Sequence, residues 1–135
     1  RNKVKYVVKI FDYIHSVDSE KLAQKISEET NKINQNIKIF IQVNIGQESQ
    51  KSGVNTKNLV KLYSYCKHIK LDVIGLMCIP PENKDPKKYF IEMESLAKDF
   101  NLNDLSMGMS SDYISAIEHS STFVRIGSDI FGKRD

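Results

Sequence analysis

Apolar positions along the chain follow two rhythms. Between Ile37 and Ile45 every second residue is aliphatic, and Lys38, Phe40, Gln42 and Asn44 fill the positions between. A period of two predicts a strand whose aliphatic side faces one layer and whose mixed side faces another. Shorter apolar runs at Tyr13–Val17, Leu71–Ile79, Leu105–Met109 and Thr122–Ile126 predict further strands, with Pro80 and Pro81 ending the one that starts at Leu71.

The second rhythm is helical. It runs through Val4, Val7, Val8 and Phe11 in Asn2–Phe11, where Lys3, Lys5 and Lys9 form a solvated side. It recurs at Leu22, Ala23 and Ile26, and at Leu59, Leu62, Tyr63 and Cys66. Pro86 to Phe100 repeats it with Phe90, Met93, Leu96, Ala97 and Phe100 inward, and Ile114, Ala116 and Ile117 carry a last short copy. Asp18 or Ser19 can cap the helix of Leu22, and Thr56 the helix of Leu59. Strand and helix alternate throughout, which is the pattern of βαβ units and a parallel sheet.

Side-chain alternation then separates what each strand turns inward. On the Leu105 strand, Ser106, Gly108 and Ser110 share a face opposite Leu105, Met107 and Met109. On the last strand, Phe123, Arg125 and Gly127 lie opposite Val124 and Ile126. With the aliphatic faces against helices, Gln42, Asn44 and Arg125 point to the inside, where amides and a guanidinium need partners. Arg125 is then a structural ion pair, a surface arginine or a ligand contact.

Both final strands run into small residues, Ser110 and Ser111 after the first and Gly127 and Ser128 after the second. In a (β/α)8 barrel the loops after the last two strands often hold a phosphate through backbone N–H groups. A phosphate between these two loops is the candidate site. His15, at the end of its strand, is either a packed and hydrogen-bonded side chain or a ligand contact. Asn44 belongs to a polar layer or to a ligand-facing wall at the carboxyl end, under a polar loop at Gly46–Gly53 in which Lys51 either neutralises an anion or is an exposed loop cation.

Composition narrows the classes. The 135 residues are 40% hydrophobic and 27% charged, with formal net charge +3. That charge is too small and too evenly spread for a nucleic-acid surface. No run of ~18 apolar residues and no secretory signal occurs, so neither a membrane span nor export is expected. Cys66 and Cys78, without a CxxC or a histidine at ligand spacing, argue against zinc and for free thiols in a reducing compartment, with Cys78 buried. A closed barrel needs about 250 residues, so this length implies part of one, or a sheet completed by another copy.

The motifs SMGMSSD at Ser106–Asp112 and RIGSDIFGKRD at Arg125–Asp135 resemble the C-terminal signatures of the pyridoxal phosphate homeostasis family, related to the N-terminal barrel of alanine racemase. NKVK at Asn2–Lys5 with Phe11 agrees, as do HSVDS at His15–Ser19 and QVN at Gln42–Asn44 with Glu48, Lys51 and Gly53. GLMCIPP at Gly75–Pro81 completes the set. The resemblance implies an α/β fold, a partial (β/α)8 TIM-type barrel of about strands four to eight. Residues 1–135 would then be the C-terminal portion of one pyridoxal 5'-phosphate-binding barrel. The family's Schiff-base lysine lies on a first strand that has no counterpart here, so cofactor binding by this chain is expected to be non-covalent.

By the same resemblance Ser110 hydrogen-bonds the phosphate, Gly127 and Ser128 complete its cup, and Arg125 faces the pyridine nitrogen; Asn44, Met77 and His15 are secondary candidates. A guanidinium only donates, so it meets an unprotonated nitrogen and weakens the ring as an electron sink. The implied role is a non-enzymatic, cytoplasmic holder or carrier of the cofactor in vitamin B6 homeostasis, with an upstream organellar leader left open. A racemase-type enzyme, which needs acid/base groups on both faces of the reacting carbon and a second domain, is one alternative; a truncated, ligand-free scaffold is another. The first and last strands, near Tyr13 and Thr122, would have bare edges that a preceding segment or a second copy covers.

Overall fold

The computed structural model describes residues 13–48, 52–82, 84–109 and 112–125; for Met109, Tyr113 and Phe123–Arg125 it describes the backbone. The Asn2–Phe11 helix, Lys51, Ser110, Ser111, Ile126, Gly127 and Ser128 therefore lie outside the described residues. The strands are β1 (Tyr13–Val17), β2 (Lys38–Gln42), β3 (Asp72–Met77), β4 (Asp104–Met109) and β5 (Phe123–Arg125). The helices between them are α1 (Glu20–Lys32), α2 (Leu59–His68), α3 (Lys87–Asp99) and α4 (Tyr113–Glu118). Among the described residues the strands form one parallel sheet in the order β1-β2-β3-β4-β5, so each helix crosses between neighbouring strands.

Local chemistry sets the helix ends. Ser19 accepts the Leu22 N–H at 3.1 Å and starts α1, with Glu20 in the first turn and Lys32 in the last, as the helix dipole favours. Glu29 is buried on α1 between Lys25 at 3.3 Å and Lys32 at 3.2 Å. Burial raises its carboxyl, but hydrogen bonds and charge from Lys32 and Lys25 outweigh that and leave it below the usual range. Asp85 accepts the Lys87 N–H at 3.0 Å ahead of α3, whose Phe90, Met93 and Ala97 are buried, with Leu96 and Phe100 partly covered.

Several boundaries differ from the periodicity. The β2 ladder stops at Gln42 rather than Ile45, because the partners change there. The Val43 N–H donates to the Met77 carbonyl and the Asn44 N–H to the Val54 carbonyl, both at 2.8 Å, before the Ile45 N–H turns back to Val43. Val54 pairs with Val43 where β1 has already ended, so the loop extends the sheet at its carboxyl side. Thr56 does not cap α2; Asn55 caps a short 3-10 turn at Thr56–Asn58 and the helix follows at Leu59. On α4, Ala116 alone of the three periodic residues is buried, and Ile114 and Ile117 are 63% and 52% exposed. The helix is six residues long. Glu94 of α3 holds its C-terminal end through His119 at 3.3 Å and through the Ser120 hydroxyl.

The sheet is strongly curved. β1 and β4 stand three strand spacings apart, about 14 Å in a flat sheet, yet His15 Nδ1 lies 2.6 Å from Ser106 Oγ. Those two short side chains can meet only if the strands curl toward one another. On the convex side Ile39, Ile41, Leu76, Leu105 and Met107 pack with the helices into the main hydrophobic core. Cys66 and Cys78 are buried free thiols in that layer. Burial pushes each up to about 12, aided by the charges of Glu20 for Cys66 and of Asp112 and Glu92 for Cys78.

Candidate functional site

The concave side of the sheet carries aromatic, imidazole and hydroxyl groups in contact with one another. His15 stacks on Phe40 with ring centroids 4.4 Å apart and planes at 30°, and its Nδ1 engages the Ser106 hydroxyl. Phe40 and Ser106 are fully buried, and Met77, 1% exposed, lies in register with both Gln42 and Ser106. Gly75 makes room for this layer: a methyl group there would meet the Phe40 ring at 2.9 Å and run into the Asp104 carbonyl. His15 is in the middle of β1 rather than at its end, which corrects the sequence reading.

Above this layer the carboxyl ends of β4 and β5 lie side by side. Ser106 pairs with Phe123, the register then slips, and Met109 pairs with Arg125. Gly108 sits within the slip at φ +101°, a left-handed value that only glycine adopts without strain. Before the slip, Ser121 and Thr122 lock the two strands: the Ser121 hydroxyl donates to the Met107 carbonyl at 2.7 Å and Thr122 Oγ1 accepts the Leu105 N–H at 3.0 Å. The parallel register brings the backbone of Arg125 beside β4, while Ser110, Gly127 and Ser128 lie outside the described residues.

Asn44 is engaged within its own loop: Nδ2 donates to the Glu48 carbonyl at 2.6 Å and Oδ1 accepts the Glu48 N–H at 3.1 Å. Both ends of the amide thus help to close the loop after β2, a common use of asparagine. Opposite it, Gly53 at φ +114° lies so close to the Asn44 backbone that a Cβ would stand 2.7 Å from its nitrogen, and its own N–H donates to Asp18 at 3.0 Å. The sequence offers Asp18 as a helix cap within HSVDS, and Phe40 as a residue between the aliphatic positions of its strand. The aromatic ring at an inward position of an otherwise polar face was the available signal for Phe40; nothing local marks Asp18, whose partner is 35 residues away.

Two adjacent strand ends thus stand beside a largely buried layer of aromatic, imidazole and thioether groups. The family model described as the alanine racemase N-terminal domain matches residues 1–135. The chain belongs to that family. A relative from Aquifex aeolicus (strain VF5), named pyridoxal phosphate homeostasis protein, is 41% identical over 98% of this chain and 63% of its own length. The chain therefore spans less than two thirds of the relative's length.

Among solved structures of the family, PipY of Synechococcus elongatus PCC7942 superposes with a TM-score of 0.86 and 28% identity in its form without PLP, over 92% of this chain and 63% of that one. Its form with PLP bound superposes with a TM-score of 0.82 and 27% identity, over 92% and 62%. The arginine decarboxylase of Paramecium bursaria Chlorella virus, at 17% identity and a TM-score of 0.67 over 92% of this chain and 42% of its own, shares the fold alone. No helix among the described residues is long and apolar enough to cross a membrane.

Proposed function

We propose that this chain contributes the non-covalent half of a pyridoxal 5'-phosphate site and serves in holding or carrying that cofactor rather than in catalysis. Residues 1–135 then correspond to about strands four to eight of a (β/α)8 barrel. The observation that supports the reading is the pairing of Met109 with Arg125 directly after the Gly108 bulge, which sets side by side the ends of two strands whose sequences continue into Ser and Gly. The likeness to PipY with PLP bound supports the ligand, and the names of the curated relatives support the role in homeostasis.

In this reading Ser110 and the N–H groups of Gly127 and Ser128 hold the phosphate, and Arg125 turns its donors to the ring nitrogen. Phe40 and Met77 set the depth to which the ring descends, with His15 stacked on Phe40. The cofactor supplies an electrophilic aldehyde when bound; this chain supplies orientation and exclusion of competing amines.

Titration with pyridoxal phosphate followed by absorbance tests the reading. Saturable binding is expected, weakened by combining Ser110→Ala with Arg125→Ala, and borohydride reduction should leave no single dominant modified lysine. Unchanged affinity in the double variant would sink the assigned site.

A further inference from the structure

We propose that His15 is a positioning residue for the ligand-binding end of β4, acting through Ser106 without touching the ligand; the inference rests on the ligand reading above. Ser106 is the last β4 residue in register with β5 before the slip and the Gly108 bulge; beyond it β4 is held by the Ser121 hydroxyl on the Met107 carbonyl and by the pairing of Met109 with Arg125. A bulge loosens the ladder and lets the strand end swing. What holds Ser106 is therefore one of the restraints on that end. The Ser106 carbonyl accepts the N–H of Cys78, the residue after β3, at 3.2 Å, and its fully buried hydroxyl meets His15 Nδ1 of β1 at 2.6 Å.

His15 is itself held in place. Its ring lies on Phe40, and Phe40 is fully buried in the space that Gly75 leaves. Tyr13 stands edge-on at 6.4 Å. Three residues further on, Asp18 is tied to Gly53 in the loop after β2. The restraint thus runs Gly75, Phe40, His15, Ser106 and then the bulge, a chord across the concave side that joins strands the sheet ladder does not pair. Removing the imidazole would leave the Ser106 hydroxyl buried without this partner and free the β4 end to drift from β5.

The test uses pyridoxine 5'-phosphate and pyridoxine, which lack the aldehyde and form no adducts with surface lysines. His15→Leu and Ser106→Ala are each expected to weaken pyridoxine phosphate binding about fivefold, the worth of one net hydrogen bond, with pyridoxine unaffected. Combining them should cost no more than either alone, and His15→Asn, whose amide can take the place of Nδ1, should restore affinity. Equal losses for both ligands, additive losses, or no loss overturn the proposal. If the unaltered chain binds no pyridoxine phosphate, the ligand reading fails by itself. The amide resonances of Gly108 and Met109 then decide the chord: shared displacement in His15→Leu and Ser106→Ala supports it, and unmoved resonances refute it.

Discussion

The two faces of the sheet are built on different principles. The convex face is aliphatic, and Ile39, Ile41, Leu76, Leu105 and Met107 meet helix residues such as Ile26, Phe90 and Met93 in one continuous core. Its stability comes from removing apolar area from water, which is non-directional and tolerates changes that keep volume. The concave face is a sparse set of directional contacts: a stacked imidazole, a buried hydroxyl, a glycine that admits a ring, and a bulge. Changes on the first face should cost stability broadly, and changes on the second should alter geometry at the strand ends. In the proposed reading the ligand lies on the concave face, while the convex face holds the fold.

The sharpest way to break this contrast is Phe90→Ala on α3, a fully buried ring in the helix-facing core. A loss of about 3–5 kcal/mol is expected, measured by urea unfolding; a loss below ~1 kcal/mol would mean that the convex layer is not the main source of stability. Next is Gly75→Ala, where the added methyl meets Phe40 and the Asp104 carbonyl. Overpacking should cost about 1–3 kcal/mol and, unlike Phe90→Ala, should displace the His15 ring resonances. Undisturbed histidine signals would disconnect Gly75 from the concave layer.

The smallest effect is read from pH. Cys66 and Cys78 are held neutral in the convex layer, with thiols pushed from 9.0 up to about 12. Unfolded thiols lose their protons first, so the unfolded chain binds fewer protons above about pH 9 and stability falls as pH rises toward 12. No contribution from these thiols is expected at neutral pH. A Cys66→Ala, Cys78→Ala variant that loses stability just as steeply over that range would remove the thiols as the cause.

Much of this was legible beforehand. Tyr13–Val17 has the bounds expected of β1, and Leu22, Ala23 and Ile26 form the buried stripe of α1 behind the Ser19 cap. The alternation that turned Ser106 inward also holds, as its contact with His15 shows. The loop bonds of Asn44 were not legible, because alternation fixes the side of a strand only while the ladder lasts, and here it ends two residues earlier. Ile114 and Ile117 were legible as a helix but not as a surface, since the orientation of a six-residue helix is set by its neighbours; Ala116 and the Glu94 contacts decide it.

By itself the sequence determined the alternation of strands and helices, the aliphatic layer and the small residues at the last two strand ends. Those properties depend on residues two to four apart, and the chain carries them wherever it goes. The tertiary structure alone decided how far the sheet curls, that His15 reaches Ser106 across two intervening strands, and that Asn44 serves its own loop. Such contacts join residues up to 91 positions apart, and no local period records which of them will meet.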